Sequence, residues 1–156
     1  MLKVGQPAPQ FDLPDADMNV ISLSSFVGSS NVVIFFYQKD GTPGCTIEAI
    51  DFSELQDDFL RHDTVVLGVS MDDCLTHGSF RDKHGLSVSL LADTDGEVCD
   101  KYGVIQEKQV DGKGVKRCIV RSTFIIDKRG VVRYALYGVP PRGHADDVLD
   151  LIKELT

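Results

Sequence analysis

Two absences limit the class of protein that this sequence can encode. It has no long apolar run, and it has fewer basic than acidic residues. A membrane-spanning helix needs about 20 consecutive apolar residues, so the first absence argues against a membrane protein. The chain carries 24 Asp and Glu against 16 Lys and Arg, for a formal net charge of -8. Because like charges repel, we expect neither nucleic acid nor an anionic membrane as a partner.

The beginning of the sequence does not resemble a secretory signal, because it contains Pro7 and Pro9 and no long apolar core. We therefore expect a cytoplasmic protein whose thiols stay reduced. In that compartment the four cysteines, at positions 45, 74, 99 and 118, are expected to be free thiols, metal ligands or redox groups rather than static cross-links.

Two cysteine motifs are missing as well. No Cys-x-x-Cys pair occurs, which argues against dithiol exchange of the thioredoxin kind. The cysteine spacing does not supply the paired ligands of a zinc site, so we expect no metal. A hydrolase with a Cys–His pair stays open, because histidines stand at positions 62, 77, 84 and 144, but no hydrolase signature accompanies them.

The sequence shows no internal repeat and no linker, so we predict a single domain over residues 1–156. The predicted strands cover residues 11–13, 20–23, 32–37, 64–70, 89–91, 119–126 and 131–137. The predicted helices cover residues 46–61, 76–84, 97–102 and 144–155. The polar segment 106–116 predicts a hairpin or an exposed loop.

The order of these elements predicts an α/β three-layer sandwich. Right-handed crossovers place the second long strand beside the first, with helices on both faces of the sheet. The late pair of strands then adds antiparallel partners. The expected architecture is a thioredoxin-type fold with a mixed, mostly parallel sheet and an N-terminal β-hairpin.

A cysteine stands where the buried strand at 32–37 is predicted to turn into a helix. Thr42 is a good N-cap residue and Pro43 suits the first helical position, so Cys45 falls in the first turn. There the sulfur faces unpaired backbone N–H groups and the positive end of the helix dipole. Both favour the thiolate, which is the reactive form of cysteine.

The helix alone stabilises a thiolate too weakly, because its dipole contributes less than about 1 kcal/mol at an exposed site. Glu48, three residues after Cys45, adds an opposing negative charge. Both points require a nearby cation, and a buried arginine is the natural candidate. A competing interpretation, in which Cys45 is a small core residue at a helix start, stays open at this point.

The segment Lys39–Ala49, KDGTPGCTIEA, resembles the peroxidatic-cysteine motif of the bacterioferritin comigratory protein (PrxQ) class of peroxiredoxins. Three further segments resemble that class: VGQPAPQFDL at 4–13, LLAD at 90–93 and RSTFIID at 121–127. The resemblance therefore extends over the whole chain, with its segments in the family's order.

The resemblance implies a thiol peroxidase that reduces hydrogen peroxide and organic hydroperoxides in antioxidant defence. It implies that Cys45 is the peroxidatic cysteine, which becomes a sulfenic acid. It further implies that the Thr42 hydroxyl helps to hold the peroxide and that Arg121 is the cation beside the sulfur. No metal or organic cofactor is required, and the expected reductant is thioredoxin, glutaredoxin or glutathione. We expect a monomer or a weak homodimer.

The sequence departs from the family pattern at two places. Gln38 stands where the family usually has proline, which motivates an alternative function: a thioredoxin-fold binding or chaperone module with little turnover. Ile50 and the segment 80–82 occupy the places where relatives keep a second, resolving cysteine.

The remaining cysteines therefore leave the resolving step open. We rank a one-cysteine mechanism first, Cys74 as the resolving cysteine second and Cys118 third, because connectivity is not encoded in spacing. Cys99 is expected to be a core residue in a short helix.

Overall fold

The computed structural model of the protein describes residues 1–112 and 114–155. Its strands are β1 (Asp12–Pro14), β2 (Val20–Ser22), β3 (Asn31–Phe36), β4 (Thr64–Ser70), β5 (Ser89–Ala92), β6 (Ile105–Val110), β7 (Gly114–Ile119), β8 (Ser122–Ile126) and β9 (Val132–Tyr137). Its α-helices are α1 (Pro43–Glu54), α2 (Gln56–Arg61), α3 (Cys74–His84), α4 (Glu97–Lys101) and α5 (His144–Leu155). The single domain predicted over residues 1–156 includes residues 113 and 156, which lie outside the described residues, and it stays a prediction.

Five strands form the central sheet in the order β5-β4-β3-β8-β9. β3 pairs in parallel with β4, and β4 with β5, which confirms that the second long strand lies beside the first. β8 pairs antiparallel with both β3 and β9. The sheet is mixed as predicted, but parallel pairs make up half of its pairings rather than most of them.

Two separate hairpins accompany this sheet. β1 and β2 form the predicted N-terminal hairpin, in which Leu13 lies opposite Ile21. β6 and β7 form the second hairpin, from the pair Ile105 and Ile119 to the pair Val110 and Gly114. The polar segment between residues 106 and 116 is therefore a hairpin, which was one of its two predicted forms.

The central strand β3 separates two apolar cores. Val33 and Phe35 pack with residues of α1, α2 and α5 on one face, whereas Ile34 and Phe36 pack with the N-terminal hairpin and α4 on the other. Every residue of β3 is buried, so its sequence after Asn31 is continuously apolar instead of alternating. Helices thus cover both faces of the sheet, and the predicted three-layer sandwich is confirmed.

The single helix predicted over residues 46–61 is wrong, because two helices, α1 and α2, meet at Leu55. Leu55 has φ -95° and ψ 5°, outside the helical range of both neighbours. The buried residues Phe52 of α1 and Phe59 of α2 nevertheless belong to the same core. An apolar repeat that continues across the break conceals it in the sequence.

The single strand predicted over residues 119–126 is also wrong, because Val120 and Arg121 separate β7 from β8. The chain changes its pairing partner there: β7 pairs with β6, and β8 with β3 and β9. The backbone N–H of Val120 donates to Val104 O at 2.7 Å, and Arg121 O accepts from Val139 N at 3.0 Å. Neighbouring loops therefore provide hydrogen-bond partners for the backbone at this break.

Helix α3 begins two residues before its predicted start. Asp73 is its N-cap, and the Asp73 carboxylate accepts a hydrogen bond from Thr76 N at 2.8 Å. Cys74 is consequently the first residue of a helix rather than part of a loop. Within the described parts of the chain, we find no helix with the length and apolar character needed to cross a membrane.

Candidate active site

Cys45 lies where the chain passes from β3 into α1, as predicted. Thr42 occupies the N-cap position and Pro43 the first helical position, so Cys45 is the third residue of the helix. The Thr42 hydroxyl makes no capping hydrogen bond; it donates to Lys39 O at 2.9 Å. The hydroxyl proton is thereby directed into the loop, and the lone pairs of the oxygen stay available as acceptors.

Arg121 reaches the cysteine because β8 runs antiparallel to β3. Ser122 lies opposite Phe36, the last residue of β3, so the residue before Ser122 falls at the sheet edge where α1 begins. Arg121 Nη2 donates to Cys45 Sγ at 3.2 Å, across a sequence separation of 76 residues. The structure thus places a guanidinium beside the sulfur. The helix dipole alone stabilises a thiolate too weakly at this position.

The same guanidinium also holds Glu48. Arg121 Nη1 donates to Glu48 Oε1 at 2.9 Å, and the Arg121 side chain is only 12% exposed. Glu48 is fully buried, and its second oxygen, Oε2, has no hydrogen-bond partner among the described residues. Burial raises the pKa of Glu48 to about 7, against the opposing effect of Arg121. Sulfur and carboxylate therefore share one cation.

Gly44 leaves room for this arrangement. A Cβ atom at Gly44 would lie 3.2 Å from Arg121 Nη2 and 3.4 Å from Pro141 Cγ. The guanidinium is already fixed by Cys45 and Glu48, so it has little freedom to move away. The residue before the cysteine must therefore be small, and Pro141 covers the site from the loop between β9 and α5.

The histidines expected of a hydrolase do not meet the cysteine. His144 Nε2 lies 2.7 Å from Thr123 Oγ1, and burial lowers the pKa of His144. His77 is buried against Asp40, with 2.6 Å between Nδ1 and Oδ2. In the described residues, the hydrogen-bond partner of Cys45 Sγ is Arg121. This geometry offers no general base of the Cys–His kind.

A buried polar cluster lies behind the loop that leads to Cys45. Tyr37 OH donates to Asp40 Oδ1 at 2.6 Å, and Asp40 N donates to Asp72 Oδ2 at 2.8 Å. Asp72 Oδ2 also accepts from Ser70 Oγ at 2.7 Å. Asp40, Asp72 and His77 bring their potential ligand atoms within 4.8 Å of one another, as a metal would need. Hydrogen bonds engage both carboxylate oxygens of Asp40, both ring nitrogens of His77 and Oδ2 of Asp72.

Sequence reasoning missed this cluster because His77 belongs to a helix whose other residues are mostly polar. The detectable signal was its spacing: His77 precedes the buried Phe80 by one helical turn, which puts both on the inner face of α3. A histidine on the apolar face of a helix needs a buried partner. Asp40 is that partner.

The other three cysteines are separate from the Cys45 sulfur, and no disulfide joins the four thiols. Cys99 is buried in α4, as predicted, and Asp93 Oδ2 accepts a hydrogen bond from its backbone N–H at 2.8 Å. Burial, reinforced by Asp93, raises the pKa of the Cys99 thiol. Cys74 lines a cavity with Leu13 of the N-terminal hairpin.

Cys118 lines a different cleft, of about 490 Å³, together with Gln38 and Lys39. This cleft therefore adjoins the loop that leads to Cys45. The order of Cys74 and Cys118 as resolving residues stays a prediction.

The sequence profile of the AhpC/TSA family matches residues 4–135. The chain belongs to this family. A relative named as a putative peroxiredoxin bcp, from Coxiella burnetii, is 40% identical over 148 residues, which cover 95% of this chain and 97% of the relative. The chain is thus a peroxiredoxin of the Bcp class, a thiol peroxidase that uses a peroxide and a thiol reductant.

Solved peroxiredoxin structures agree with this assignment. A cysteine-to-serine mutant of PrxQ from Xylella fastidiosa superimposes with a TM-score of 0.92 at 31% identity, covering 99% of this chain and 98% of that chain. The bacterioferritin comigratory protein of Xanthomonas campestris, studied for alkyl peroxide reduction, gives a TM-score of 0.88 at 36% identity, with coverages of 93% and 91%. The predicted thioredoxin-type fold is therefore confirmed for this peroxiredoxin.

Proposed function

We propose that this peroxiredoxin reduces hydrogen peroxide and organic hydroperoxides at Cys45, assisted by Thr42 and Arg121. The observation that carries the proposal is the hydrogen bond of 3.2 Å from Arg121 Nη2 to Cys45 Sγ at a helix N-terminus. A guanidinium at that distance favours the thiolate, which is the nucleophile. Its position also allows it to donate to an oxygen that approaches the sulfur.

The reaction follows from these groups. The thiolate attacks the hydroxyl oxygen of the peroxide in line with the O–O bond; the S–O bond forms as the O–O bond breaks. Cys45 becomes a sulfenic acid, and the departing alkoxide or hydroxide takes a proton from water. Negative charge spreads from sulfur over both oxygens, where Arg121 and the first backbone N–H groups of α1 stabilise it.

Thr42 has a distinct part in this proposal. Because its hydroxyl proton points to Lys39 O, the Thr42 oxygen is arranged to accept a hydrogen bond from the peroxide O–H. That contact fixes which peroxide oxygen faces the sulfur. Thr42 therefore orients the substrate, whereas Arg121 stabilises the charge that develops on it.

For the second half of the cycle we propose a one-cysteine mechanism, in which an external thiol reduces the sulfenic acid. Two side chains at the places where relatives keep a resolving cysteine have structural contacts instead. Ile50 packs against the core that contains Cys45, and Arg81 forms an ion pair with Asp17 at 3.0 Å. The reductant is then thioredoxin, glutaredoxin or glutathione.

We further propose a cytoplasmic monomer or weak homodimer. The four free thiols support a reducing compartment. The alternative function, a thioredoxin-fold binding or chaperone module, is not favoured, because the relatives along the whole chain are named as peroxiredoxins. The Arg121 contact supports a reactive thiol as well, which a pure binding module does not need.

The test is to mix the reduced protein with one equivalent of hydrogen peroxide in the presence of a carbon nucleophile that traps sulfenic acids. Peptide mass spectrometry then locates the adduct and any disulfide. We expect a rapid adduct at Cys45 and none at Cys99. An unreacted Cys45, or an adduct at another cysteine alone, would refute the proposed chemistry.

A further inference from the structure

The loop between β3 and α1 determines where Thr42, proposed to hold the peroxide, lies. Contacts within the loop do not fix its conformation. Gly41, in its middle, has φ +82°, and a Cβ atom there would meet nothing within 4 Å. Within the loop, the Thr42 hydroxyl bonds to Lys39 O. A segment this open needs anchoring from outside, and Asp40 supplies it.

Asp40 connects the loop to three other parts of the chain. Its side chain is 2% exposed; it accepts from Tyr37 OH at 2.6 Å and lies 2.6 Å from His77 Nδ1. Its backbone N–H donates to Asp72 Oδ2 at 2.8 Å. The end of β3, helix α3 and the turn after β4 therefore all converge on the residue two positions before Thr42.

The protons of this cluster can be assigned from its donors and acceptors. His77 Nε2 lies 3.0 Å from Leu91 O, which only accepts, so Nε2 carries a hydrogen. His77 Nδ1 faces a carboxylate oxygen at 2.6 Å, so a proton lies between them as well. Burial, then the Asp40 charge, raises the pKa of Tyr37, whose hydroxyl stays a donor. Asp40 and His77 thus share one proton inside the protein.

We propose that His77 is a positioning residue of the peroxidatic site: by holding Asp40, it fixes the adjacent Lys39 carbonyl and thereby the Thr42 hydroxyl that orients the peroxide. The inference rests on the proposed function of Cys45 and Thr42. His77 touches neither substrate nor sulfur and acts through Asp40. The fully buried imidazole, with both ring nitrogens engaged, makes this anchor stiff.

Two substitutions of His77 separate its two contacts. In His77→Asn the amide nitrogen replaces Nδ1 and still donates to Asp40, whereas the contact with Leu91 O is lost. In His77→Gln the longer amide replaces Nε2, so Leu91 O keeps its donor and Asp40 loses its partner. Both variants are neutral amides that lack the ring; they differ by one methylene and in which of the two contacts they keep.

The measurement is the second-order rate constant for the first oxidation of Cys45 by hydrogen peroxide, in single turnover and well below the unfolding temperature. We expect His77→Gln to lower it about tenfold and His77→Asn to stay within about threefold of wild type, because misplaced reacting groups lose rate steeply. Tyr102→Phe is the control for stability alone: it removes a bond of 2.7 Å to Pro9 O on the other face of the sheet, and its rate should match wild type.

Each outcome decides the proposal. Equal rates in wild type and His77→Gln would show that His77 serves stability only. Equally slow Gln and Asn variants would assign the effect to loss of the imidazole ring, and a slow Asn with a normal Gln variant would assign it to Leu91; each of these results overturns the proposal. If His77→Gln does not fold, Asp40→Ala removes the carboxylate through which His77 acts, and an unchanged rate in that folded variant would also overturn the proposal. A wild-type Cys45 that peroxide does not oxidise refutes the proposed function itself, which is a distinguishable result.

Discussion

Cys45 and Cys99 occupy matching places on opposite faces of the sheet. Each is the third residue of its helix, and each has no exposed surface. The sulfur of Cys45 faces the guanidinium of Arg121 at 3.2 Å. Cys99 lies instead beside the carboxylate of Asp93, and burial together with that charge raises the pKa of its thiol.

The two cysteines differ neither in burial nor in their position at a helix start. Both thiols have those features, and the helix dipole contributes less than about 1 kcal/mol to either. The charge that faces the sulfur is what distinguishes them. Under the proposed mechanism, Cys45 is therefore the nucleophile, whereas Cys99 is a small core residue.

The largest expected effect comes from replacing the two cysteines in the same way. Cys45→Ser should abolish peroxide consumption, because a hydroxyl is too weakly acidic to replace the thiolate. Cys99→Ser should retain it, since the buried sulfur takes no part. Peroxide consumption with a small thiol reductant measures both, and circular dichroism verifies folding. Loss of activity in a folded Cys99→Ser protein would remove the distinction between the two sites.

The acid beside each cysteine differs too, since Glu48 shares the cation of Cys45. Its folded-state pKa, about 7, lies above its ordinary value of 4.5. The stability that Glu48 contributes is therefore complete below pH 4.5 and is lost as the pH rises through about 7. At 1.36 kcal/mol for each unit of pKa, that loss amounts to about 3 kcal/mol.

Glu48→Gln should remove this part of the pH dependence. Urea unfolding of wild type and variant between about pH 4 and pH 8 measures the difference in the free energy of unfolding. We expect wild type to lose stability relative to the variant with rising pH. Parallel curves would mean that Glu48 ionises normally in the folded protein.

Arg121→Lys tests the cation itself. Lysine keeps the charge but loses the planar fork that holds Cys45 and Glu48 together, so the rate of Cys45 oxidation should fall about tenfold. Arg117→Lys is the matched control near Cys99; Arg117 pairs with Asp100 at 2.6 Å on the protein surface. Stopped-flow oxidation of both variants checks the expectation. Equal oxidation rates in the two variants would show that Arg121 takes no part in the reaction.

The smallest effect is expected from replacing Cys74, Cys99 and Cys118 together with serine. In a one-cysteine mechanism, the first oxidation should stay within about twofold of wild type, because substitutions at separated sites act independently. Turnover with a small thiol should persist as well. Turnover lost with Cys74→Ser or Cys118→Ser alone, with the matching disulfide in oxidised wild type, would establish a two-cysteine cycle.

Much of this architecture was predictable from local patterns. The apolar run of β3, the N-cap at Thr42 and the position of Cys45 in the first turn all follow from neighbouring residues. The contact of Arg121 with Cys45 was expected from the family resemblance, whereas its geometry depends on the antiparallel register of β8. Local sequence does not contain that register.

Two features that were not predicted share a physical cause. The interruption before β8 and the partnership of Asp40 with His77 both depend on residues far away in the chain. A local pattern records that a residue is apolar or polar, but not which distant group it meets. The sequence therefore does not indicate that His77 is buried against Asp40.

The long chain separation between Arg121 and Cys45 has a consequence for the chain before it is fully folded. Contacts across 76 residues form late, because closing such a long loop costs entropy. A nascent or partly unfolded chain therefore carries Cys45 without its guanidinium, as an unactivated thiol. Under the proposed mechanism, rapid reaction of Cys45 with peroxide therefore requires the folded arrangement that brings Arg121 to the sulfur.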